Sequence, residues 1–135
     1  MPQRPPRPVR FVAAQLERFP PDRLHARVVL RRSHDDLIIG TAERPFGEAH
    51  ELACVAEAAA AAVRQAAEAD AEQVVSVRAV ERLEAFGQPI VMVAVSAQRQ
   101  QQTRDLTGFC QADGDAPRAT ALAILNATNR FLDLG

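Results

Sequence analysis

Two helix starts hold the residues best suited to binding chemistry. Asp113-Gly114-Asp115 leads into Ala116-Pro117-Arg118-Ala119-Thr120. An aspartate that can accept first-turn N–H groups, followed by a proline whose missing N–H costs nothing there, marks a helix N-terminus. The free N–H groups of such a terminus favour an anion. A ligand carboxylate can therefore sit at the terminus while a nearby acid receives its ammonium group. Gly47-Glu48-Ala49 repeats the glycine–acid–alanine order earlier in the chain and is read as the counterpart. The candidate ligand-binding set is Gly47, Glu48, Ala49, Gly108, Asp113, Asp115, Ala116 and Thr120, with Phe46 and Phe109 available to wall an apolar pocket. The plainer reading of these residues is capping and turn chemistry, with both phenylalanines in the core.

Other chemistry is weakly supported. His50 and Cys54 are spaced i, i+4 and can share a helix face suited to zinc, but two ligands do not complete a site. Neither Cys54 nor Cys110 has the elbow or base spacing of a nucleophile. The chain has no lysine, which excludes a Schiff-base or phosphate-loop lysine. No catalytic residue, metal or cofactor is expected. The enzyme alternative is a small acid–base site at Asp113 and Asp115.

The elements that position these residues follow from patterning. Residues 1–8 (MPQRPPRP) are too proline-rich for a helix or central strand and read as a flexible tail. Val9 to Phe19 fits a strand that loses its alternation, or a short helix. Leu24, Ala26, Val28 and Leu30 alternate with His25, Arg27, Val29 and Arg31, as in a sheet with one buried face. The turn at 33–36 leads to a second strand from Leu37 to about Ala42. After Pro45-Phe46-Gly47 an alanine-rich helix runs from about Glu48 to Ala69, packed through Leu52, Val55, Ala56, Ala59, Val63 and Ala66. The second half opens with strand character from Val74 and turns at Gly87-Gln88-Pro89. Ile90 to Ala97 is hydrophobic on both faces, as in a central strand. Gln98 to Gln102 forms a polar hairpin loop, and Thr103 to Cys110 is a strand in which Gly108 marks a bulge or a close approach. In the closing helix, Ala119, Ala123 and Ala127 form a ridge of small residues, and Asn126 and Asn129 lie near its end.

The two halves repeat one plan. Leu16, Glu17 and Phe19 align with Leu83, Glu84 and Phe86, Val28 with Val95, and Gly47-Glu48-Ala49 with Gly114-Asp115-Ala116. The predicted architecture is α+β: one domain over 9–135, made of two βββα-like pseudo-repeats at about 9–70 and 71–135, with antiparallel sheets and two alanine-rich helices.

A net charge of −1 and the absence of Trp and Tyr argue against nucleic acid as a partner. No apolar run approaches the roughly 20 residues of a membrane span. No signal-peptide core is seen, and the two cysteines have no disulfide-scaffold spacing. A cytoplasmic location with reduced thiols is expected.

The run from Asp115 through Ala119-Thr120 to Leu125-Asn126-Ala127, Asn129 and Arg130 resembles the C-terminal regulatory domain of 2-isopropylmalate synthases. That family carries an aspartate, an alanine-serine pair and a run close to LNALNR. Leu106-Thr107-Gly108 is similar to the strand-glycine that precedes them. In the first half, where the family has a GNGPVDA-like turn, Glu43 to Ala49 shares only the acid and the alanine. The resemblance implies a duplicated βββα domain that pairs into a dimer and binds a branched-chain amino acid, without the family's catalytic barrel. The expected function is a stand-alone, non-catalytic effector-sensing domain, a homodimer that takes an amino-acid or carboxylic-acid effector; any partner enzyme is unknown. The alternative is a dimeric interaction module without a ligand pocket.

Overall fold

The computed structural model describes residues 9–19, 21–33, 36–67 and 75–132. The Pro/Arg-rich segment 1–8 and the expected repeat boundary at 70/71 lie outside them. The order is β1 (Arg10–Phe19), β2 (Arg23–Ser33), β3 (Asp36–Pro45), α1 (Glu48–Ala66), β4 (Val75–Ala85), β5 (Gln88–Arg99), β6 (Gln102–Gln111) and α2 (Ala116–Thr128). Each half is an antiparallel meander, β1-β2-β3 and β4-β5-β6, followed by a helix. The α+β fold with a repeated βββα layout is therefore present.

The ambiguity over Val9 to Phe19 resolves as a strand. β1 pairs with β2, and the register shifts between Phe11 and Ala13. That bulge puts two residues against one and resets which side chains face inward, so Phe11 is followed by Ala14 and Leu16 as the partly buried contacts. A strict period of two cannot survive it. β4 carries the matching shift between Val77 and Ala79.

β2 and β5 supply the sheet cores. Leu24, Ala26, Val28 and Leu30 are buried on one, and Val91, Val93, Val95 and Ala97 on the other. Each helix lies on the second and third strands of its own sheet, touches the first strand of the opposite sheet and contacts the other helix. A helix packed on several sides must be apolar nearly all round. Accordingly Cys54, Ala58, Ala60 and Ala62 are buried in α1 along with the predicted face, while Leu52 is only partly buried. Neither helix is long and apolar enough to cross a membrane.

Gly108 is a close approach and no bulge: β6 keeps unbroken register with β5 from Ile90↔Gln111 to Arg99↔Gln102. A Cβ at Gly108 would lie 2.1 Å from the Ala123 carbonyl oxygen of α2. Gly40 in β3 repeats this under α1, where a Cβ would lie 2.1 Å from the Ala58 oxygen. These contacts fix the equivalence of the halves. Val28 pairs with Gly40 and Val93 with Gly108, so Val28 corresponds to Val93 and not to Val95. By the same register Leu16 corresponds to Arg82 and not to Leu83. Ala58 then corresponds to Ala123, which makes α1 start nearly a turn earlier than α2. Gly47-Glu48-Ala49 and Gly114-Asp115-Ala116 are thus displaced relatives.

Candidate functional site

The start of α2 is closed by its own side chain. Oδ1 of Asp115 accepts the Arg118 N–H at 3.0 Å, and the Asp115 N–H donates to the Ala112 carbonyl at 2.8 Å. Asp113 and Gly114 form the preceding turn, both at positive φ. Asp113 and Asp115 are exposed. Thr120 is fully buried, and its hydroxyl donates to the Ala116 carbonyl at 2.7 Å. Gly108 lies beneath α2. Five of the expected site residues, Gly108, Asp113, Asp115, Ala116 and Thr120, therefore serve capping, turn and packing, and none of them lines either cleft described below.

The start of α1 differs. Its N-cap is Gly47, which offers no side chain to the first-turn N–H groups. Glu48 and Ala49 line a cleft of about 360 Å³, together with Glu51, Leu52 and Ala53 on the helix and Val80 and Arg82 on β4. The bulge in β4 is what turns Val80 and Arg82 toward the helix. The first half has the apolar Leu16 where the second has Arg82, so the repeat is electrostatically broken here. Glu51 is held by Arg18 at 2.8 Å. Glu48 and Arg82 have no ion-pair partner among the described residues. Acid, cation and apolar wall thus share one cleft, an arrangement that can hold a zwitterion with a hydrocarbon side chain.

The two phenylalanines do not meet. Phe46 is 51% exposed under the Arg18 guanidinium, 5.0 Å from the ring centroid, and Phe109 is 62% exposed on the outer face of β6, opposite Met92. Nor does the His50–Cys54 spacing open onto a site. Cys54 is buried, and its thiol donates toward the Ala42 and Leu24 carbonyls at 3.4 and 3.8 Å. Burial pushes the Cys54 and Cys110 thiols above their usual range. No group of three potential metal ligands converges among the described residues. The Asn126 amide donates to the Phe109 carbonyl at 3.1 Å, tying α2 to β6.

Sequence reading missed Val80 and Arg82, because their approach to α1 is purely tertiary. It also missed a larger cleft of about 590 Å³ where the β5–β6 hairpin passes the end of α2. Here the period-two row Val91, Val93, Val95, Ala97 continues to Arg99, a signal that was present in the sequence. The chain matches no protein-family profile, no curated protein and no solved structure.

Proposed function

We propose that this chain is a non-catalytic effector-binding module whose ligand is a small amino acid, held between the start of α1 and β4. The supporting observation is the mixed lining of that cleft, with Glu48 and Arg82 both free of ion-pair partners among the described residues. The ligand carboxylate meets Arg82 and the uncapped α1 terminus, its ammonium meets Glu48, and its side chain rests on Leu52 and Val80. This reading places the site away from Asp113, a turn residue, and from Asp115, whose carboxylate caps α2. Thermal shift with leucine, isoleucine, valine and their keto acids tests it. A ligand at a hundredfold excess over its Kd adds roughly 2.7 kcal/mol to stability. The gain should vanish in Arg82→Gln. No response to any of these compounds would end the reading.

A second reading, pairing with another copy of the chain, is favoured by the outer face of the β4–β6 sheet. The outward residues of β5, from Ile90 through Met92 and Ala94 to Ser96 and Gln98, carry no charge, and Phe109 and Leu83 flank them across the register. An uncharged central row with Phe109 beside it, flanked by Glu81 opposite Met92 and Asp105 opposite Ser96, suits the apolar core and polar rim of a symmetric dimer. Sedimentation should report a dimer that Phe109→Glu splits into folded monomers; a wild-type monomer at high concentration would contradict it.

A further inference from the structure

The hairpin β5–β6 outruns α2, and the inward face of the sheet changes character where the helix ends. Under the helix that face is Val93, Val95, Leu106 and Gly108; beyond it the same alternation presents Arg99, Arg104 and Gln102. The turn after α2 adds Arg130 and Phe131, and together they line the cleft of about 590 Å³. Its size is within the usual range for small-molecule sites. Among the described residues the lining has three guanidinium groups and no carboxylate. Two of the arginines are held in place: Arg104 lies over the Phe131 ring at 5.7 Å, and Arg99 donates to the Phe131 carbonyl at 3.2 Å. Arg104 and Arg130, gathered in one concavity, raise the local concentration of anions. Guanidinium forks match oxyanions two bonds at a time.

We infer that this cleft is a second ligand site, separate from the α1–β4 cleft, and that it takes a compact polyanion bearing two or more oxyanion groups, either phosphates or carboxylates. Arg104 and Arg130 clasp the charged groups, Gln102 adds a neutral donor, and Phe131 and Leu106 give the ligand an apolar floor.

The test is calorimetric titration of the full chain at constant ionic strength with inorganic pyrophosphate, tricarballylate and sulfate. Saturable binding of one molecule per chain is expected, with pyrophosphate or tricarballylate at least about tenfold tighter than sulfate; which of the two wins identifies the oxyanion. Arg104→Gln and Arg130→Gln should each weaken it about tenfold, the size of one lost charge-assisted contact. Arg27→Gln, on the outer face of the other sheet, should change nothing. Arg130 is exposed and makes no packing contact of the Arg104 kind, so its variant keeps the test valid even if Arg104→Gln fails to fold. Equal weak responses to all three anions, or binding indifferent to Arg130→Gln, would overturn the inference. Tighter binding of a single-stranded oligonucleotide than of any small anion would overturn it as well.

Discussion

Gly108 stands to α2 as Gly40 stands to α1. At each a helix backbone lies directly against the third strand of its sheet, and the nearest atom to an added Cβ is in both cases a helix carbonyl oxygen, from Ala123 or Ala58. Alanines complete the approach from the helix side, Ala62 over Gly40 and Ala127 over Gly108. The alanine ridge and the two glycines are one packing device, used twice. It seats each helix close against its own sheet.

Gly40→Ala and Gly108→Ala should each destabilise the fold by about 3 kcal/mol, because backbone has to move to admit the methyl group. Gly87→Ala has open space around it and only a left-handed φ to contend with, so about 1 kcal/mol is expected. Urea denaturation of the three variants checks the ranking.

The β4–β5 hairpin turns through Phe86 and Gly87, both at positive φ, and Phe86 is fully exposed. Such turns favour asparagine at that first position, and a bulky residue there is strained. Phe86→Asn should raise stability by about 1 kcal/mol in the same denaturation assay. An unchanged or lower midpoint would mean that the ring has contacts in solution, as in a dimer.

Much of this was legible in the sequence, for physical reasons. Period-two burial in β2 needs no tertiary information, and neither do the breaks at Pro45-Phe46-Gly47 and Asp113-Gly114. Gly108 advertised a close approach, but choosing between approach and bulge required the helix above it. The bulge near Val12 hid β1 because a single extra residue reverses the inside–outside phase of a strand. Of the candidate site residues, Glu48 and Ala49 line a cleft, whereas the Asp115 carboxylate accepts the Arg118 backbone N–H. The two acids differ in helix position, Asp115 being the N-cap itself and Glu48 the first residue after a glycine N-cap. The difference arises because Gly47 cannot cap α1 and because β4 brings Arg82 to the α1 side alone.

Burial raises the Cys54 thiol, so the unfolded chain loses this proton at a lower pH than the folded one. Above the ordinary thiol range, from about pH 8.5, the unfolded state binds fewer protons and stability falls as pH rises. Thermal midpoints measured from pH 8 upward should therefore decline, and Cys54→Ala should flatten that part of the slope. An equal decline in the variant would assign it to other groups.

On the proposed function, α1 and not α2 offers the ligand-binding terminus. Amide chemical shifts of the isotope-labelled chain, followed during titration with leucine, isoleucine or valine, test it most directly. The largest changes are expected at Glu48–Leu52 and Val80–Arg82, with Asp115–Arg118 unmoved. Saturating amino acid that leaves the first group still, or that shifts the second group instead, would contradict it.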